Sequence, residues 1–284
     1  MVDKDKTKEV AKVAPPQLPA IPDPKELEEL FKEFEGVQPS FSTIKIPTGG
    51  SLAWEIPGEE EPVVAKEFLG VILDHYPTRV YWPGDFEGGN APPECSSLDG
   101  RTGFKYGECA KCQYSQWGSG KKGRGQACKS VHRVYILLAG SESIFPYLIP
   151  FPPTSAPQRG GYEGSLPTYL TKIVGKLKKP SGVWTKFKLI KDKNPEGIEY
   201  GKVQCFLGGD LTDTEKKTVT FLKENLRTAM REKPFETAEY DTGGNEEETR
   251  GEETRGTEQR EVNRENSSGG PDPWDKKRGD DIPF

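Results

Sequence analysis

Cys95, Cys109, Cys112 and Cys128 carry the spacing C-x13-C-x2-C-x15-C, so four of the chain's five cysteines fall within 34 residues. Thiolates bind zinc at about 2.3 Å, and a tight Cys-x-x-Cys turn such as Cys109-Ala-Lys-Cys112 brings two of them to one ion. Two further cysteines, reached through loops of similar length on either side, complete a tetrahedron. The chain between them is rich in Gly, Ser and Lys and cannot build a core unaided, so a structural zinc is the expected source of its stability. His132, four residues beyond Cys128, is an alternative fourth ligand in place of Cys95. Cys205, between Gln204 and Phe206 in a strand pattern, reads as core.

Catalytic zinc asks for other residues. A zinc deaminase carries His-x-Glu ahead of Pro-Cys-x-x-Cys, whereas here only Glu108 precedes Cys109. A zincin carries His-Glu-x-x-His, whereas the two histidines, His75 and His132, stand 57 positions apart. His75 lies at a strand end beside Tyr76-Pro77 without an obvious acid partner. Gly118-Ser-Gly-Lys-Lys-Gly-Arg-Gly125 looks like a phosphate loop but lacks the upstream glycine and the Ser/Thr after lysine. The middle of the chain has no carboxylate cluster suited to Mg2+, which disfavours a nuclease. No enzyme is expected.

The same glycine-rich loop suits nucleic acid. Lys121, Lys122, Arg124 and Lys129 lie within nine residues, with Phe104, Tyr106, Tyr114 and Trp117 close by. Single strands are held by cations on phosphates and by flat rings on unpaired bases, each stacked base contributing about 1–3 kcal/mol. Further rings alternate along strand patterns with Arg133, Lys186 and Lys188 between them. The candidate DNA contacts are Trp82, Tyr106, Trp117, Lys121, Lys122, Arg124, Lys129, Arg133, Trp184 and Lys186.

These residues need a scaffold. Residues 1–22 are Lys-, Pro- and Ala-rich without periodicity and read as a disordered arm. Asp23-Pro24-Lys25-Glu26 opens a helix with an N-cap and Pro at the first position, and Leu27, Leu30, Phe31 and Phe34 form its stripe. Strands are expected at 41–46, 52–56, 68–75 and 78–82, and beyond the cysteines at 131–138 and 145–149. A helix over 166–177, strands at 183–190 and 198–206, and a helix over 213–231 follow. With the cysteine insertion (95–128) set aside, the order is strands, helix, two strands. That is the order of an OB-type five-stranded barrel, although split α+β folds share it. The expected fold is mainly β with helices: an N-terminal helix and hairpin (23–66), an OB-like DNA-binding domain (67–234) and a disordered acidic tail (235–284).

Composition agrees. Of 284 residues, 32% are hydrophobic and 30% charged, with 32 Gly and 25 Pro, and mean hydropathy is -0.75. No run approaches the roughly 20 apolar residues of a membrane span. The opening MVDKDKTKEV has no apolar core, so no secretory signal is expected, and unsecreted clustered thiols fit a reducing cytoplasm. The net charge of -5 hides a partition. Residues 1–66 carry -5, residues 67–234 carry +8 and residues 235–284 carry -8. A basic middle suits a polyanion, for which an acidic tail would compete.

The chain ends Asp280-Asp281-Ile282-Pro283-Phe284. This resembles the acidic tip of bacterial single-stranded DNA-binding proteins, which end in the same residues after a disordered linker. The resemblance implies that Asp280, Asp281, Ile282, Pro283 and Phe284 bind replication and repair enzymes, the terminal Phe and its carboxylate entering a pocket with a basic rim. It covers the tip and the general layout, since bacterial members start with their barrel and have no four-cysteine insertion. A zinc site inside an OB barrel with an acidic tail resembles the helix-destabilising proteins of T4-type phages, although those use a His among the ligands. Together these features look like a phage single-stranded DNA-binding protein in the cytoplasm of a bacterial host. The expected partners are single-stranded DNA and replication or repair proteins, with no membrane or small-molecule substrate. A recombination annealing protein and a zinc-ribbon regulator binding duplex DNA are the alternatives.

Overall fold

The computed structural model describes residues 17–19, 24–47, 51–58, 61–83, 92–120, 123, 125–157, 160–193, 197 and 199–236. The capping Asp23, nearly all of the N-terminal arm, Lys121, Lys122, Arg124 and the tail from 237 through Asp280, Asp281, Ile282, Pro283 and Phe284 lie outside the described residues. All described residues belong to one unit, 1–244.

Five long strands form an antiparallel sheet: β3 (Glu67–Tyr81), β7 (Lys129–Leu138), β8 (Tyr147–Phe151), β9 (Val183–Lys193) and β10 (Glu199–Asp210). Their spatial order is β10-β9-β3-β7-β8. Short β4 (Cys95–Ser97) pairs with the end of β3, opposite Arg79 to Tyr81. Helix α2 (Leu166–Gly175) lies between β8 and β9, and α3 (Asp213–Glu232) follows β10. Helix α1 (Pro24–Glu33) and the hairpin of β1 (Trp54–Ile56) and β2 (Val63–Ala65) come first; β5 (Thr102–Gly103) and β6 (Gly107–Glu108) pair within the cysteine segment.

The protein is mainly β, with a strand order compatible with the expected barrel, but no closed barrel forms among the described residues. Closure would pair the two edges, β8 and β10. Residues 41–47 occupy the β8 edge instead. Thr43 bridges Leu148 in parallel, with the Ile44 N–H on the Leu148 carbonyl at 2.9 Å and the Leu148 N–H on the Ser42 carbonyl at 2.9 Å. On the β10 side, a Cβ built on Gly201 would lie 3.4 Å from the Ser51 carbonyl. The N-terminal segment thus fills the seam and covers an edge that would otherwise be open to pairing.

Alternation along the strands divides the apolar residues between two faces. One face buries Ile72, Val134, Ile136, Phe151, Phe187 and Val203 under α2, together with Ile44, Ile46, Trp54 and Ile56 from the N-terminal segment. The other buries Val71, Leu73, Tyr76, Tyr135, Leu137 and Trp184 under Val219, Leu222, Leu226 and Met230 of α3. Thr212 caps α3 by bonding reciprocally with Glu215, a capping box that fixes where this helix begins. Residues 23–66 therefore supply side chains to the same core as the large sheet.

Pro77 does not divide β3, which runs unbroken where two strands are expected. Proline lacks the N–H that a central strand uses. On the β9 side, pairing covers only 67–70, and β4 covers only 79–81, so Pro77 faces a gap in the ladder.

The His75 ring pairs with another imidazole rather than with a carboxylate. His75 Nδ1 lies 3.1 Å from His132 Nε2, and Asp74, itself held by Arg231 at 2.6 and 2.7 Å, raises the affinity of both rings for protons. Burial outweighs it: desolvation lowers the His75 pKa, and it pushes His132 down to about 3. Folded-state pKa values below the ordinary 6.5 mean that stability is fully present above pH 6.5 and drains as pH falls toward 3. Between pH 7 and pH 5 His132 alone should cost about 2 kcal/mol. Melting curves at the two pH values should show the loss, and His132→Gln should reduce it.

Candidate metal centre and nucleic-acid interface

The cysteine segment is rooted on β3 at both ends. Cys95 opens β4 opposite Tyr81, and Cys128 directly precedes β7, whose Lys129 stands opposite Val80. Between them the chain folds as a hairpin and a knuckle. Asp99 starts it, accepting the backbone N–H groups of Arg101 at 2.7 Å and Thr102 at 2.8 Å and the Ser97 hydroxyl at 2.9 Å. These bonds stabilise its charged form and lower its pKa, with the Thr102 N–H contributing most. Gly107, at φ +68°, closes the turn from β5 to β6 in a conformation that glycine adopts without strain.

The knuckle follows at once. The Cys112 N–H bonds the Glu108 carbonyl at 3.1 Å and the Cys109 carbonyl at 3.3 Å. Buried Ser115 donates its hydroxyl to the Cys109 and Cys112 carbonyls, and Gln116 donates to the Ala110 carbonyl at 2.8 Å and the Cys112 carbonyl at 3.2 Å. Two side chains thereby hold the Cys109–Cys112 turn from outside. The Cys128 N–H bonds the Tyr114 carbonyl at 2.7 Å, which brings the last cysteine beside the knuckle.

All four cysteines line one cavity of about 10 Å³, together with Arg79, Tyr81, Ser96, Ser97, Gly103, Tyr106, Gly107, Tyr114 and Ser115. That is room for one small ion or water. Cys95, Cys109 and Cys128 are buried, Cys112 is half-buried, and none is in a disulfide. Gly103 keeps the space open: a Cβ there would lie 2.8 Å from Cys95 Sγ and 3.8 Å from Cys109 Sγ. Burial pushes the Cys128 thiol up to about 11, the positive charge of Arg79 opposes it, and the other three thiols raise it further. Among the described residues no three His, Cys, Asp or Glu side chains are grouped closely enough to hold a metal ion. As donor types, four cysteines with no oxygen ligand are those of a structural zinc site; to bind, the Cys128 thiol would have to give up its proton against the effect of burial. His132 does not line the cavity, since its ring is taken up by His75. Cys205 is wholly buried in the main core, and burial raises its pKa.

No family model, curated protein or solved structure matches this chain. The candidate interface therefore rests on the residues themselves.

Trp117 is 84% exposed and Phe104 70% exposed, both on the cysteine segment. Lys129 is exposed at the start of β7. Gly118 and Gly125, which flank Lys121, Lys122 and Arg124 in the sequence, are joined by the Gly118 N–H on the Gly125 carbonyl at 2.7 Å; those three cationic residues lie outside the described residues. Trp82 is half-buried at the end of β3. Lys186 bonds Glu67 at 3.1 Å on the surface, and Lys186 and Lys188 together lower the Glu67 pKa.

Three further candidate contacts have other partners. Trp184 is 3% exposed and packs in the core beneath α3. Arg133 is fully buried; its guanidinium donates to the Lys233 carbonyl at 2.7 Å and the Pro234 carbonyl at 3.0 Å, and lies 4.3 Å from the Phe235 ring. It holds the chain directly after α3, at the C-cap carbonyl of Lys233 and the next one. Tyr106 gives its hydroxyl to Glu94 and stands in a wall with Tyr81 and Tyr114 around the thiols, the Tyr81 and Tyr114 rings stacking at 4.1 Å. The sequence patterns missed Arg79, Tyr81, Ser115 and Gly103. Their signal was position: Arg79 and Tyr81 end the strand that leads into the cysteines.

Proposed function

We propose that the chain is a non-enzymatic, zinc-stabilised OB-type protein that coats single-stranded DNA with little sequence preference and recruits replication, recombination or repair enzymes through its C-terminal tip. The observation that carries this reading is the pair of exposed rings, Trp117 and Phe104, on the cysteine segment. OB folds bind oligonucleotides through the loop between their first two strands, the loop between their last two, and the outer sheet face near them. With β3 and β7 as the first two strands, the cysteine segment is the first of these loops. α3 covers the outer face of β3 and β7, which directs the proposed DNA path to the cysteine segment. Exposed rings on a segment that also carries Lys121, Lys122, Arg124 and Lys129 in its sequence suit splayed bases and phosphates.

Fluorescence-quenching titrations with poly(dT), duplex DNA and RNA test the reading. Tight poly(dT) binding that weakens steeply with salt, with much weaker duplex binding, is expected. Equal or tighter duplex binding would favour the zinc-ribbon regulator instead. For the tip, deleting residues 275–284 should abolish capture of enzymes that recognise bacterial single-stranded DNA-binding protein tails. Equal capture by both forms would leave the terminal Asp-Asp-Ile-Pro-Phe without that role. Among the described residues, no helix is long and apolar enough to cross a membrane.

A further inference from the structure

Arg79 occupies a position that neither its strand nor its neighbours explain. It stands opposite Ser97 of β4 on one side and Ser130 of β7 on the other. The two strands flanking it are thus the ones that begin at Cys95 and directly after Cys128. Its side chain lines the cavity of the four cysteines. Its Nη1 is buried without a hydrogen-bond partner. The carboxylate of Glu94, which directly precedes Cys95, is already engaged by Lys105 and Tyr106. A guanidinium stays protonated in proteins and carries only donors, so a buried Nη1 calls for an acceptor. Four thiolates around one Zn2+ leave a net charge of -2 and present sulfur acceptors to the same cavity.

We infer that Arg79 is the positioning residue of the metal centre: its Nη1 donates to a zinc-bound thiolate sulfur and its charge offsets half of the excess negative charge. Partners outside the ligand set orient thiolates and imidazoles and tune metal affinity, and their loss costs about 10–100-fold in affinity. The inference rests on the proposed zinc site and adds a residue that does not itself touch the metal.

Chelator competition on the full-length chain tests it, with wild type, Arg79→Gln and Arg79→Lys compared after zinc loading. Arg79→Gln should weaken zinc binding about 10–100-fold, and Arg79→Lys, which keeps the charge and a donor, should recover most of the loss. Cobalt substitution gives a readout that packing alone would not move. Arg79→Gln replaces the charged, long guanidinium by a neutral, shorter amide; withdrawing the charged donor raises the energy of the sulfur lone pair, so the thiolate-to-cobalt charge-transfer band should shift to longer wavelength. Its ligand-field bands should stay tetrahedral, because all four cysteines remain. Wild-type affinity and an unmoved band in Arg79→Gln would overturn the role of Arg79 while leaving the zinc site standing. So would a folded Arg79→Lys as weak as Arg79→Gln, with melting curves confirming the fold of both. A wild-type chain that takes up neither zinc nor cobalt would overturn the metal centre itself.

Discussion

Cys112→Ser is expected to remove the zinc and unfold residues 95–128 while the large sheet stays folded. The segment has little else to hold it. Its own cluster consists of Tyr81, Cys95 and Cys128 with Tyr106, Tyr114 and Ala127 packed alongside. The two main cores on either face of the sheet use no cysteine of the set. Metal binding supplies about 10–16 kcal/mol in zinc-finger peptides, and there it is the folding free energy. Elemental analysis should find one zinc per wild-type chain and none in the variant. Near-ultraviolet circular dichroism should lose the contribution of the Tyr81, Tyr106 and Tyr114 wall, while the far-ultraviolet signal of the sheet and α3 persists. A variant that keeps stoichiometric zinc, or a metal-free wild type with an unchanged melting curve, would refute a structural role for the metal.

Trp117→Ala combined with Phe104→Ala should produce the largest loss of poly(dT) binding available from two substitutions. Stacking on one base contributes about 1–3 kcal/mol, roughly five- to 150-fold in Kd, and two rings compound the effect. Neither ring is buried, so stability should change by no more than about 0.5 kcal/mol, the usual range for surface sites. Neither carries charge, so the slope of log affinity against log salt should stay the same. Lys121→Ala with Lys122→Ala should do the converse and flatten that slope. A double aromatic variant with wild-type affinity would place the binding surface elsewhere.

The features that were legible in the sequence are those that a short window specifies. The spacing of Cys95, Cys109, Cys112 and Cys128 already describes a knuckle with two outlying cysteines, and the four do line one cavity. The apolar stripe of α3 is visible in Val219, Leu222, Leu226 and Met230, all buried. What stayed hidden depends on which element covers which face. Alternation sorts β7 into two sets of side chains, but it does not say that α3 lies across one of them. Arg133 therefore looked like a phosphate contact, although the carbonyls directly after α3 claim it. Trp184 looked like a stacking ring for the same reason. The covering of the β8 edge was equally illegible, because the parallel bridge from Thr43 to Leu148 joins segments about a hundred residues apart. His75 and His132, too far apart in sequence to suggest contact, meet because their strands are register neighbours.

Amide hydrogen exchange on the zinc-loaded, full-length chain, with and without a saturating dT oligomer, tests the central claim most directly. DNA held by the cysteine segment should protect amides within residues 98–120 and around Lys129, and should leave α3 and the strand face beneath it unchanged. Protection, or release, concentrated on α3 and the strands it covers, with the cysteine segment exchanging as before, would contradict the account.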